Sequence, residues 1–541
     1  MNPPSPPRPR RTTRSRTAVL FVTSECAPWV KTGGLADISA SLPAALRAAS
    51  RTEALRAASK QAAPRAAGKQ AAPPATEHDV RVLMPAYASV TARLPTREIA
   101  SARVLGQPVR LLEALGPAAG DDAVPLWLLD IPGLFDRPGS PYANPDGREW
   151  QDNGWRFGCF CAAAAWVARG ATLRHPEPRL RFLPDVVHAN DWPAGLVGAW
   201  LADERPRPAL VFGIHNLAYQ GCFDRGLFDA LRLPEHLWHM DGVEFHGALS
   251  FLKAGLTCAD ELVTVSPGYA REIATPAHGY GMDGVLRGRA EHLHGIVNGI
   301  DNAEWDPATD PHIVQRFDID SLDARRANTA ALRAECGLPP SDEPLLAMVS
   351  RLAWQKGSDI VLDALPELLA LGLQLVMLGN GDAALAAAWR AAANAHPKQV
   401  SFTDGYNEAL AHRIEAGADV FLMPSRYEPC GLNQLYSLRY GCLPLVHATG
   451  GLLDTVRPLQ LRNGRLSGTG FHFTQPDSLS LLCAVQEMLS LWQQPELWRV
   501  AQRNGMAHDA SWAASIPAYA KVYEMAIGRA AARGRPTGPA S

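Results

Sequence analysis

Short apolar runs, three to five residues long and set apart by longer alanine-rich stretches, constrain this chain more than any other feature. The first is Ala18-Val19-Leu20-Phe21-Val22, and others lie at 80–84, 126–129, 186–188, 210–213 and 262–265. After Asn298-Gly299-Ile300-Asp301 a second series follows, at 345–349, 374–378, 400–402, 420–423 and 443–446. Continuous apolar runs of this length suit strands buried on both faces of a parallel sheet. Segments such as 157–168 read as helices, and strand–helix alternation calls for helices on both sides of that sheet. A chain of 541 residues exceeds what one core organises. The predicted fold class is therefore α/β, with two Rossmann-like doubly wound domains facing a central cleft and a boundary near residue 300.

The ends and one insertion fall outside this alternation. Residues 1–17 are rich in Pro and Arg with no acidic residue, and read as a disordered basic tail rather than a targeting segment. Between 45 and 76 the chain repeats itself: Ala-Leu-Arg-Ala-Ala-Ser at 45–50 and 54–59, Lys-Gln-Ala-Ala-Pro at 60–64 and 69–73. This predicts a low-complexity insertion over about 48–76, with some helix limited by Pro64, Pro73 and Pro74. The domains are then 18–299 and 300–510, followed by a closing helix over 511–530.

A formal net charge of −2 gives no field to recruit nucleic acid or an acidic membrane. No run approaches the ~18 apolar residues that span a bilayer. Nine scattered cysteines with no paired framework point to a reducing, cytoplasmic setting. Cys159 and Cys161 lack a second pair at zinc spacing, so no metal site is expected there.

Four loops carry chemistry. Lys31-Thr32-Gly33-Gly34 lies between the first strand and a helix, where paired glycines admit a ligand and helix-start amides favour an anion. It is neither a P-loop nor a G-x-G-x-x-G fingerprint. Arg351 and Lys356 follow the strand at 345–349, at the carboxyl end where doubly wound sheets bind ligands; two cations there suit a diphosphate. Glu428, in Ser425-Arg426-Tyr427-Glu428-Pro429-Cys430-Gly431, follows the strand at 420–423 and is placed to hold sugar hydroxyls, or else to complement a helix dipole. Gly450-Gly451 repeats the anion cradle.

Together these segments resemble the bacterial glycogen synthases and plant starch synthases, over the whole ordered chain. The motifs are Lys-Thr-Gly-Gly-Leu-Ala-Asp at 31–37, Asp-Arg-Pro-Gly-Ser-Pro-Tyr at 136–142 and Asp-Val-Val-His at 185–188. They continue with His-Asn-Leu-Ala-Tyr-Gln-Gly at 215–221, Phe-Leu-Lys-Ala-Gly-Leu at 251–256, Asn-Gly-Ile-Asp at 298–301 and Arg-Tyr-Glu-Pro-Cys-Gly-Leu at 426–432. The resemblance implies a GT-B architecture whose final helix returns to the first domain. It also implies metal- and cofactor-free, retaining transfer of glucose from ADP-glucose to the non-reducing end of an α-1,4-glucan such as glycogen. It casts Arg351 and Lys356 as diphosphate ligands, with the Gly450 and Gly451 amides beside them. Glu428 would hold the glucose, flanked by His215 and Asp191, while Lys31, Gly33 and Gly34 contact the donor and Asn298 lies near the hinge.

Two departures stand out. Tyr436 occupies the second position of the E-x7-E pattern, a departure the family shares, and Asn190 replaces a commoner histidine before Asp191. Taken one at a time, His215 could serve only backbone groups, Asp191 could cap a helix, and Asn298 could make a turn. The alternatives for the whole chain are a retaining GT-B glucosyltransferase with a small acceptor and a silent glucan-binding homologue.

Overall fold

The computed structural model describes residues 16–61, 77–115 and 123–533, with the side chains of 50–61 and 77 left aside. The chain forms two compact units. The first comprises Met1–Thr264, Arg271–Ile296 and Ser515–Ser541; the second comprises Val265–Ala270 and Val297–Ala514.

Every one of the apolar runs is a strand. The first unit holds a nine-stranded sheet, running from edge to edge Leu293–Gly295, Glu261–Thr264, Ala209–Ile214, Val186–Asn190, Arg16–Val22, Glu77–Pro85, Leu126–Asp130, Gln107–Ala114 and Thr96–Val104. Its central strands pair in parallel. Val19, Leu20, Phe21 and Val22 are fully buried, as continuous apolar strands covered on both faces must be.

The sheet is not wholly parallel, which corrects the sequence expectation. Thr96–Val104 and Gln107–Ala114 form an antiparallel hairpin at one edge. Leu105 and Gly106, with φ of 51° and 78°, make the two-residue turn whose twist matches the flanking strands. The strand at 96–104 alternates exposed and covered residues, as an edge strand does, so it carries no continuous apolar run. Its signal was the period of two together with Gly106.

The second unit holds a six-stranded parallel sheet in the order Val400–Asp404, Gln374–Gly379, Leu345–Val349, Val420–Met423, Leu443–His447, Phe471–Phe473. One core layer contains Leu345, Ala347, Val376, Phe421 and Val446; the other contains Leu346, Met348, Leu375, Leu422 and Leu445. Alternate residues of one strand thus fill opposite layers.

The strand at the start of the chain begins at Arg16, two residues before the apolar run. The rest of the expected tail, residues 1–15, lies outside the described residues. The first helix runs Gly34–Gln61, so the opening copy of each repeat begins inside it; residues 62–76 of the expected insertion are not described. The closing helix is Trp512–Arg533. No described helix is long and apolar enough to cross a membrane, and all nine cysteines are free thiols.

Candidate active site

Strand order brings the candidate residues together within each unit. In the first, Glu25, Asp191 and His215 follow the carboxyl ends of three adjacent parallel strands, Arg16–Val22, Val186–Asn190 and Ala209–Ile214. In the second, Arg351, Glu428 and Gly450 follow Leu345–Val349, Val420–Met423 and Leu443–His447, again three neighbours. The carboxyl edge is where open α/β sheets present ligand-binding loops.

Asp191 has a left-handed φ of 53°, a conformation that aspartate tolerates better than most residues. This turn points its carboxylate back at the next strand: Oδ1 accepts the amides of His215 at 2.7 Å and Asn216 at 3.4 Å. Burial pushes its pKa up to about 7, against the pull of those two amides. His215 Nε2 lies 2.9 Å from Asn190 Oδ1, and burial lowers its pKa to about 4. A neutral imidazole is therefore held beside Asp191. Asn190 donates Nδ2 to the carbonyls of Val22 and His188, so the residue that departs from the family motif is what fixes His215.

The Lys31–Gly34 loop corrects one expectation. Its amides are not an open anion cradle, because the chain supplies its own anion. Glu25, 3% exposed, accepts the Thr32 amide and hydroxyl at 2.6 Å each and the Gly33 amide at 3.3 Å. The Tyr142 hydroxyl donates to the same carboxylate at 2.6 Å; burial and the Glu25 charge hold that phenol far above its ordinary pKa. Lys31 Nζ stands 2.9 Å from Asp37, and Gly34 opens the helix. Sequence reasoning missed Glu25, whose signal was a carboxylate directly after a buried strand.

In the second unit the central contact is Lys356 Nζ to Glu428 Oε2, at 2.6 Å. Ser425 Oγ donates to the same oxygen at 2.9 Å. The Glu428 side chain is 6% exposed and that of Lys356 20%, so a partly wet ammonium covers a buried carboxylate. Gly357, at φ 67°, allows the two loops to meet; a Cβ there would fall 2.1 Å from the Pro424 carbonyl oxygen and part them. Arg351 is exposed just past its strand.

Gly451 departs from its expected role. Its amide donates to the Glu428 carbonyl at 2.9 Å, so it clamps the glutamate loop instead of offering an N–H to a phosphate. Gly450, at φ 47°, opens the short helix Gly450–Thr455. Asn298 is buried with Oδ1 unbonded; burial pushes the neighbouring Cys430 thiol up to about 12, against the pull of Asn298. Among the described residues one group has metal-ligand proximity, Glu304, Glu408 and His412 within 4.8 Å; it includes none of the candidate site residues.

The starch synthase catalytic domain family matches residues 18–54 and 70–288, and the group 1 glycosyl transferases match 335–505. A glycogen synthase of Methylococcus capsulatus is 46% identical over 514 residues, covering 94% of this chain and 96% of that one. The chain belongs to the glycogen synthase family. The family's member from Halorhodospira halophila is likewise 46% identical, over 94% of this chain and 99% of its own. Among solved structures, the catalytic domain of Arabidopsis thaliana starch synthase IV, bound to ADP and acarbose, aligns with a TM-score of 0.79 at 26% identity, over 95% of this chain and 99% of that one. The two-domain GT-B fold of glycogen synthases is therefore the fold of this protein. A sucrose-phosphate synthase from Thermosynechococcus elongatus shares the fold alone, at 17% identity and a TM-score of 0.52.

Proposed function

We propose that this glycosyltransferase extends an α-1,4-glucan by taking glucose from ADP-glucose, with the anomeric configuration retained. The observation that supports the reading is the Lys356–Glu428–Ser425 cluster, a cation and a carboxylate held together at the sheet edge that Arg351 also follows. The relatives' names support a nucleotide-sugar donor and a glucan acceptor, and the ADP bound to the starch synthase neighbour favours an adenine nucleotide.

In the reaction, the bond from C1 of glucose to the diphosphate breaks and a bond from C1 to the acceptor's 4-hydroxyl forms on the same face. The leaving phosphate oxygen takes the hydroxyl's proton. Negative charge grows on the diphosphate as the sugar acquires oxocarbenium character. Arg351 and Lys356 meet that charge, and preorganised donors of this kind are worth about 10²–10³ in rate each. As the phosphates draw on Lys356, Glu428 is released to accept glucose hydroxyls, with Ser425 remaining as its second partner. Asp191 and the neutral His215 are assigned to sugar hydroxyls, and Lys31 to the donor. Asn298 stands beside Cys430 of the Glu428 loop.

The test is glucose incorporation into glycogen by the purified protein, with ADP-glucose or UDP-glucose and no added metal. Incorporation preferring ADP-glucose is expected. Folded protein that transfers from neither donor, or that makes only a small glucoside, overturns the reading.

A further inference from the structure

Helix Glu408–Gly417 carries two side chains, one turn apart, that no step of glucose transfer uses. Glu408 and His412 stand at i and i+4, which puts them on one helix face, the spacing at which two helical side chains share a metal ion. Glu304 joins them from a loop remote in sequence, and one ligand atom from each residue lies within 4.8 Å of the other two. All three residues belong to the second unit.

The histidine is already oriented for a ligand. Only 2% of its side chain is exposed, and its Nδ1 lies 2.8 Å from Oδ2 of the fully buried Asp310. The Asp310 carboxylate also accepts the Tyr440 hydroxyl at 2.5 Å and the His312 amide at 2.7 Å. An ionised carboxylate only accepts, so His412 donates to it from Nδ1, and the neutral ring keeps a bare lone pair on Nε2. Among the described residues Nε2 has no hydrogen-bond partner. Metal-bound histidines are built this way, with one nitrogen donating to a carboxylate and the other left for the ion.

Packing fixes both the ring and the third ligand. Trp305, 6% exposed, stacks on His412 at 3.9 Å and on Tyr436 at 3.7 Å, each 10° from parallel. Its wedged indole delivers the preceding residue, Glu304, to the helix face. Asp301 closes the turn: its carbonyl accepts the Trp305 amide at 2.9 Å, and its Oδ1 accepts the Ala303 amide at 2.8 Å. At the other end of the turn Arg439 pairs with Asp306 at 2.9 Å.

We propose that Glu304, Glu408 and His412 bind a divalent transition-metal cation of the Zn²⁺ class. An imidazole nitrogen in the set favours such an ion over Mg²⁺ or Ca²⁺, which take oxygen ligands. Three atoms no more than 4.8 Å apart share a centre at most about 2.8 Å from each, so reaching zinc bond lengths of ~2.0–2.2 Å takes a shift of at most ~0.8 Å per ligand. Glu304 is exposed, which gives the ion a way in and leaves room for water to complete its shell. The ion clips the turn 301–306 to helix Glu408–Gly417. It takes no part in glucose transfer, and stabilises the second unit because it binds the folded chain in preference to the unfolded one.

The experiment uses the full-length protein, stripped with EDTA, dialysed, and titrated with Zn²⁺ by calorimetry and with Co²⁺ by absorption. One equivalent of either ion is expected to bind in the presence of excess Mg²⁺. Bound Co²⁺ should show ligand-field bands without a thiolate charge-transfer band, and Zn²⁺ should raise the thermal midpoint by several degrees. Glu304→Gln and Glu408→Gln keep the side-chain size and each remove one charged ligand. Each should weaken binding by about tenfold or more and reduce the Zn²⁺-dependent rise, while a midpoint without metal near that of wild type shows that the variants fold. A titration without stoichiometric binding overturns the proposal, since His412 Nε2 then holds only a proton between the carboxylates. Wild-type affinity in both variants, or a thiolate band, puts the ion elsewhere and overturns it equally.

Discussion

Replacing Lys356 with alanine separates two effects that the structure joins in one contact. The ammonium sits 2.6 Å from Glu428, and at ~3 Å with an effective dielectric near 20 the gross attraction is about 5 kcal/mol. Much of that is offset by desolvation, and Lys356 keeps one-fifth of its side chain in water. Removing one partner of a buried pair costs about 3–5 kcal/mol, so the exposed ammonium places the expected loss near 2–3 kcal/mol. Ser425 still donates to the stranded carboxylate, which keeps the loss at that end. Turnover should fall by about 10²–10³, because a cation aimed at the leaving diphosphate is gone. The design is a double-mutant cycle with Glu428→Gln, read by urea denaturation and by glucose transfer. In the Lys356→Ala background, Glu428→Gln should restore about 1–2 kcal/mol of stability, since a neutral amide needs no counter-charge. It should restore no activity, since the phosphate ligand is still missing. Additive stability losses would show that the ion pair contributes nothing, and turnover within threefold of wild type in Lys356→Ala would refute the phosphate role.

Other outcomes follow from the same geometry. Asp191 holds its proton more tightly folded than unfolded, with a pKa of about 7 against 3.8. Its effect is absent below pH 4 and grows to a loss of about 4 kcal/mol as pH rises through 7. Asp191→Asn keeps the left-handed turn, so its stability relative to wild type should climb by about 3–4 kcal/mol between pH 4 and 8; parallel pH profiles of the denaturation midpoint would contradict this. At Gly451 an added Cβ would lie 2.4 Å from Cys430 Cα and 2.7 Å from its carbonyl, both backbone. Gly451→Ala should therefore cost about 1–3 kcal/mol and displace the Glu428 loop, lowering transfer more than tenfold; unaltered transfer would show that the loop yields freely. Prolonged EDTA treatment should leave transfer unchanged if, as proposed, Arg351 and Lys356 serve the diphosphate; loss of activity restored by a divalent ion would overturn that account.

Much of this protein was legible in its sequence because its strands are buried on both faces. A run such as 345–349 or 420–423 has no polar residue to disguise it, and the loops that follow such runs carry Arg351 and Glu428. The order of these motifs sufficed to place the chain in its family. Where a strand is wet on one side, as at 96–104, the signal weakened and the hairpin was lost. The tertiary structure alone decided how the polar groups are spent. Paired glycines at 33–34 and 450–451 read alike as anion cradles, yet Glu25 takes the Gly33 amide and the Glu428 carbonyl takes that of Gly451. Tyr142 reaches Glu25 across 117 residues of sequence, and Lys356 reaches Glu428 across 72. Apolar burial is written locally, because each strand must hide its own side chains. A hydrogen-bond partner is set by which strand ends become neighbours in the sheet, and that order is fixed only when the chain has folded.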